Sequence, residues 1–213
     1  QLNGAVLHSR WCGVAGRILC NLPTSLNDAP AWWSELCDYK DPTACDVCLR
    51  ANATRQGGSG SLPQLDNDHC LCYDIHHTSV PFIHGGHTMV LGFVHPKSGL
   101  LKSFRTKTKT AAECFPLFCL AMAWFGTRNI VINHCHTDGA GELSKGLIAA
   151  WCKEHAIRLT TICPGVSRQN PMEPYWRPVD NMTRHNLAQS NLALCWWGYA
   201  YEDAEMKYNL LPS

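Results

Sequence analysis

The sequence predicts an α/β fold, a mixed sheet with helices packed against it and a hairpin on one side. Three observations carry that expectation. Runs rich in β-branched and aromatic residues recur along the chain: HCLCYDIHHTSV, TMVLGFVH, LLKSFRTK, NIVIN and RLTTIC. The second and third are separated by Pro96-Lys97-Ser98-Gly99, turn chemistry that joins them as a hairpin. Beyond the hairpin, segments of helical periodicity alternate with strands, the order that lays helices on a sheet.

Taken in order, the chain begins with little periodicity. In residues 1–53, His8 and Cys12 of LHSRWC lie one helical turn apart, and CDVC supplies Cys45 and Cys48. This four-ligand set of one imidazole and three thiolates suits tetrahedral zinc, with Cys20 and Cys37 as replacement ligands; the alternative is a reduced pair of turn cysteines. About fifty residues bury too little surface to fold alone, and a structural metal supplies what is missing. RQGGSGSLPQLDND then reads as a linker, setting residues 54–68 between the module and a second domain over 69–213.

In that second domain HCLCYDIHHTSV reads as a buried strand carrying Asp74. Thr110-Ala-Ala-Glu113 predicts a capping box opening an apolar helix, with Phe115, Phe118, Cys119 and Met122 on one face and Pro116 bending it. NIVIN predicts a fourth strand leading to Asp138. GELSKGLIAAWCKEHAI predicts a helix that stacks Leu143, Leu147, Trp151 and His155. RLTTIC predicts the fifth strand, and the remainder reads as helical with Trp197, Tyr201, Ala204 and Tyr208 as its buried stripe.

Composition narrows the function classes. The formal net charge is +1, so nothing in the bulk composition demands a polyanionic partner. No signal peptide or bilayer-length apolar run is read, and no membrane partner is expected. A chain opening on Gln1 reads as processed from a longer precursor or trimmed. Thirteen cysteines, an odd number with one tight C-x-x-C pair, argue against a complete disulfide framework. Cys114, Cys119, Cys152 and Cys195 read as small buried hydrophobes, and the sequons at Asn52 and Asn181 as accidental.

Three acids on separate elements carry the chemistry: Asp74, Asp138 in HCHTDGAGEL, and Glu173, thirty-five positions after Asp138. This is the pattern of a two-metal phosphoryl-transfer site, in which carboxylate oxygens hold two hard cations about 3.5–4 Å apart. His134 and His136 flank it, but magnesium prefers oxygen, so they read as strand and loop histidines. His76, His77, His84 and His87 read as a solvated cluster at the first hairpin.

These blocks resemble, in order, those of a copia-type LTR-retrotransposon integrase, related to retroviral integrases. HTDGAGEL resembles the family's S-D-N-G-G-E-F, and WCKEHAIRLTTICPGVSRQN its F-C-x-x-x-G-I…P-x-x-P-Q-Q-N run. LAQSNLALCWWGYAYEDAEMKYNLLPS resembles the closing block, GFVHPKSGLLKSFRTKTKT the hairpin, and CDVCLRANATR the end of the zinc-binding module. The resemblance implies a ribonuclease-H-like, mixed five-stranded sheet flanked by helices. It implies a catalytic triad of Asp74, Asp138 and Glu173 binding Mg²⁺ or Mn²⁺, and zinc on His8, Cys12, Cys45 and Cys48. The implied activity is 3′-end processing followed by DNA strand transfer, in a homo-oligomer, in the nucleus or in a cytoplasmic particle before nuclear entry.

Lys102, Arg105, Lys107 and Lys109, with Arg168, Arg177 and Arg184, are the candidate phosphate contacts; a solvated strand edge also accounts for the lysines. The chain departs from the family at Gly139, where Asn is usual, and in QNPMEP, where the acid stands one place early. Asn170 and Pro171 read as cap and first helical residue. Pro178 is expected to kink or end the helix that carries Glu173, at about 3 kcal/mol if forced inside, with Pro174 borderline. The alternative function is therefore a catalytically degenerate integrase-like remnant, kept as a structural or binding subunit of a larger assembly. A plain ribonuclease H would leave the C-x-x-C module unexplained.

Overall fold

The computed structural model describes residues 68–138, 141–162 and 171–211. His8, Cys12, Cys45, Cys48 and Arg168 lie outside them, as do Cys20, Cys37, Asn52, Gly139 and Asn170. The chain divides into two compact units, residues 57–176 and, from two stretches, 1–56 with 177–213.

The first unit holds a five-stranded sheet: β1 (Cys70–His77), β2 (Met89–His95), β3 (Leu100–Thr106), β4 (His134–Thr137) and β5 (Arg158–Thr161). Their order across the sheet is β3-β2-β1-β4-β5. β1, β2 and β3 pair antiparallel, while β4 runs parallel to both β1 and β5. Between the strands lie helices α1 (Ala111–Gly126), α2 (Gly141–Ser144) and α3 (Gly146–Glu154). This is the mixed sheet flanked by helices that the sequence predicts, hairpin included.

One face of the sheet makes the core. Leu71 and Tyr73 of β1, Leu91 and Phe93 of β2 and Cys135 of β4 pack with Cys114, Phe118, Ala121 and Phe125 of α1. Phe118 sits among rings, its centroid 5.6 Å from Tyr73, 6.2 Å from Phe93 and 5.4 Å from Trp151. Because successive strand side chains alternate, Asp74 and His76 are delivered to the other face.

Local expectations shifted where neighbours outvoted them. The fourth strand is His134–Thr137, not NIVIN. Ile130 and Ile132 still pack on the core, but β1 starts at Cys70, opposite His134, so earlier residues find no ladder partner. In α1 the buried residues are Cys114, Phe118, Ala121 and Phe125; Phe115, Cys119 and Met122 are only partly buried. The single helix expected from Gly141 onwards is two, broken at Gly146, whose φ of 64° is a left-handed conformation. The break rotates the second piece, burying Ile148 and Cys152 and leaving Leu147 exposed.

Nor does the capping box form. Thr110 is the N-cap of α1 but makes no side-chain cap bond. Glu113 turns instead to the preceding turn, accepting hydrogen bonds from the Lys107 N–H (2.7 Å), the Thr108 N–H (3.0 Å) and the Thr108 hydroxyl (2.5 Å). Partial burial alone would raise the Glu113 pKa; these bonds, with one from Thr106, overcome it and hold the carboxyl at about 2. The stability this confers is complete above the unfolded value of 4.5 and is lost as pH falls through about 2. Glu113→Gln is expected to lower unfolding free energy at pH 7 by less than about 1 kcal/mol, solvent screening the exposed carboxylate. Parent and variant should converge below pH 2, as followed by urea unfolding across the acid range.

Helix α4 (Glu173–Gln189) runs through both prolines, and the division between the units falls within it, after Trp176. Pro174 is the second helical residue, where the missing N–H would have had no intrahelical acceptor. Pro178 gives up one internal bond but does not end the helix, and Val179, Met182 and Leu187 beyond it are buried. The expectation that Pro178 could stop this helix is thereby corrected.

In the second unit, a 3₁₀ turn (Leu194–Trp196) leads into α5 (Trp197–Leu210). The expected stripe of Trp197, Tyr201 and Ala204 is buried, with Tyr208 partly so. Asn186 of α4 ties the two helices, donating to Asp203 (2.8 Å) and to the Ala200 carbonyl (3.1 Å). Asn181 is an interior residue of α4 and accepts a hydrogen bond from Arg184. Among the described residues no helix is long and apolar enough to cross a membrane.

Candidate active site

Parallel pairing of β1 with β4 sets the site. The register joins Cys70 to His134, Cys72 to His136, and Tyr73 to Thr137. Asp74 and Asp138 are the residues that follow Tyr73 and Thr137, the last pair of that ladder. The two strands thus present C-x-C-x-D beside H-x-H-x-D on the face opposite the core.

Each aspartate is held from its own element. Asp74 is half-buried and its Oδ1 accepts a hydrogen bond from the Ile75 N–H at 2.7 Å. Asp138 follows the last residue of β4 and is also half-buried. The buried Tyr73 hydroxyl donates to the Leu143 carbonyl at 2.8 Å, fixing α2 against β1 a few residues after Asp138. Burial raises the Tyr73 pKa strongly, so the phenol stays a protonated donor.

His134 and His136 behave as strand histidines. Nε2 of His134 and Nδ1 of His136 lie 2.7 and 2.8 Å from the Thr160 hydroxyl oxygen. A hydroxyl carries one proton, so at least one imidazole donates. Burial lowers both pKa values, reinforced by the charge of Arg158 at His134 and of His134 at His136. The other cluster is looser. His77 and His84 are exposed, and His87 packs its ring near Phe82 while its Nδ1 lies 3.3 Å from the His84 carbonyl.

Glu173 stands at the start of α4. It is exposed and is the first helical residue; Tyr175 and Trp176 donate their N–H groups to the Met172 carbonyl, closing the first turn. Trp176 stacks on His76, with ring centroids 5.3 Å apart, and covers Gly92, the residue opposite Asp74 in β2. That turn is therefore docked on the face that carries Asp74. Among the described residues, no three His, Cys, Asp or Glu side chains converge closely enough to hold an ion. The aspartates each follow the last pair of the β1–β4 ladder, and the turn that begins at Glu173 lies on the face of Asp74. The donor set, all carboxylate oxygen, is that of a hard divalent cation.

Sequence reading missed Trp176, His76, Gly92 and Thr160. The signal for one was present: a glycine inside an apolar strand marks a close approach of something to the sheet.

The basic residues are dispersed. β3 is an edge strand, and Lys102 and Arg105 are three apart, hence on opposite faces. Lys102 Nζ lies 5.2 Å from the Phe104 ring centroid, and the Arg105 guanidinium 4.5 Å from that of Phe82. Lys107 and Lys109 are exposed beyond the strand, and Arg177 is exposed on α4. Charge on an edge strand also discourages edge-to-edge pairing.

No family model and no curated protein matches the chain. Solved structures do. The simian T-cell lymphotropic virus intasome, determined in complex with the PP2A regulatory subunit B56 gamma, is similar at 20% identity with a TM-score of 0.55. That match covers 95% of this chain and 66% of the other. The HTLV-2 integrase catalytic core domain in complex with magnesium is similar at 19% identity and a TM-score of 0.49, covering 68% of this chain and 85% of that one. The BIV integrase catalytic core domain is similar at 18% and 0.47, with coverages of 65% and 82%. The likeness is one of fold, a mixed five-stranded sheet flanked by helices.

Proposed function

We propose that this chain is the integrase of a copia-type retrotransposon, a metal-dependent polynucleotidyl transferase that processes 3′ ends and joins them to target DNA. The observation that carries this reading is that Asp74 and Asp138 each follow the last pair of the parallel β1–β4 ladder, with the turn that begins at Glu173 docked on the face of Asp74. Asp74, Asp138 and Glu173 would hold Mg²⁺ or Mn²⁺. Such ions activate the attacking oxygen and stabilise the leaving one. The protein's own part is placement: the β1–β4 ladder ends immediately before both aspartates, and a packed aromatic holds the helix that begins at Glu173. Water serves as nucleophile in end processing, and the exposed 3′-hydroxyl in joining.

DNA phosphates are assigned to Lys102, Arg105, Lys107, Arg168 and Arg177, in a homo-oligomer acting in the nucleus or in a cytoplasmic particle before entry. His8, Cys12, Cys45 and Cys48 are assigned to zinc in a module over residues 1–53, ahead of a linker and the core. Zinc content that is unchanged by Cys45→Ser would remove that assignment.

One observation favours a second reading, the degenerate remnant used as a binding or structural subunit: the three carboxylates do not converge. The two readings part in one assay. Incubated with duplex oligonucleotides carrying the element's ends, an active integrase nicks and joins them with Mg²⁺ or Mn²⁺ and not with EDTA. A chain that binds the duplex but yields no metal-dependent product is the remnant.

A further inference from the structure

We infer that Trp176 is a positioning residue of the acidic site, its indole seated in the notch left by Gly92 and stacked on His76. This rests on reading the acids as a metal site. The seat itself is visible without that reading. Asp74 and Gly92 are opposite each other in the β1–β2 ladder, and His76 lies two residues from Asp74 on the same face. Trp176 lies against both His76 and Gly92 and is 6% exposed.

A methyl group at Gly92 would overlap Cη2 of the indole and stand 2.8 Å from Cζ2 and Cζ3, inside any tolerable contact. An aromatic ring cannot flex out of the way as the end of a lysine can. The glycine is thus a vacancy shaped for this ring. The indole Nε1 is buried with no hydrogen-bond partner among the described residues. Shape, rather than a polar bond, sets where Trp176 sits.

The consequence falls on Glu173, three residues earlier and so on the same side of the helix. Trp176 clamps the first turn of α4 to β1 and β2, and thereby fixes how far Glu173 stands from Asp74. A carboxylate misplaced by about 1 Å costs on the order of 100-fold in rate.

The test pairs a bump with a hole. Gly92→Ala should lower kcat for metal-dependent joining by roughly 100-fold while leaving the KM for DNA unchanged. Gly92→Ala combined with Trp176→Phe removes the outer indole ring that the methyl strikes, and should recover most of the loss. In parallel, the ring protons of His76, read by NMR on histidine-labelled protein, should be shifted upfield by the stacked indole and return to ordinary positions in Gly92→Ala. A parent without joining activity refutes the metal reading. Activity in the parent that Gly92→Ala leaves intact, or that the double variant fails to rescue, overturns the positioning role. Unmoved His76 signals in Gly92→Ala overturn the seat, even should that variant be too unstable for kinetics.

Discussion

Asp138→Asn is expected to reduce metal-dependent strand joining by roughly 1,000-fold or more, with folding unaffected. The asparagine preserves volume and one carbonyl oxygen but removes the negative charge that a divalent ion requires. Metal stabilisation of charge on the transferring phosphoryl group is worth several kcal/mol, and each 1.36 kcal/mol is tenfold in rate. Asp138 is half-buried just beyond β4 and asparagine keeps its volume, so urea midpoint and circular dichroism should match the parent. The readout is joining of end oligonucleotides in Mg²⁺ and in Mn²⁺. A variant as active as the parent would mean that Asp138 does not touch the metal.

Phe118→Ala should have the largest effect on stability, about 3–5 kcal/mol, measured as a fall in urea midpoint at constant m. Phe118 is fully buried on α1, and rings from two strands and one helix surround it: Tyr73, Phe93 and Trp151. Truncation removes a large aromatic volume from the core, and forfeits pair interactions of about 0.5–1.5 kcal/mol each beyond burial. Phe115→Ala, on the adjacent but partly buried face, should cost clearly less. Equal costs would refute the face assignment, since the sequence periodicity placed both residues on one stripe.

That stripe shows how far local pattern reaches. The helical character of Ala111–Gly126 is legible because apolar residues recur throughout it, yet the same richness hides which side is inward. With apolar residues on nearly every side, the sheet beneath decides, and it selects Cys114, Phe118, Ala121 and Phe125. NIVIN is similar. Its composition is that of a strand, but a strand exists only opposite a partner, and β1 offers none before His134. Pro178 carries the lesson in reverse. Its local penalty is real, and burial of Val179 and Met182 further along the helix outweighs it.

By itself the sequence determined the class of the fold, the hairpin and the three acids worth watching. Strand alternation, turn residues and carboxylate spacing are properties of short stretches, and short stretches are what a sequence displays. Only the tertiary structure decided that Asp74 and Asp138 both follow the end of one parallel ladder, because its register joins residues sixty-four positions apart. It alone paired Trp176 with Gly92, since a glycine is meaningful only once the ring that fills its vacancy is seen.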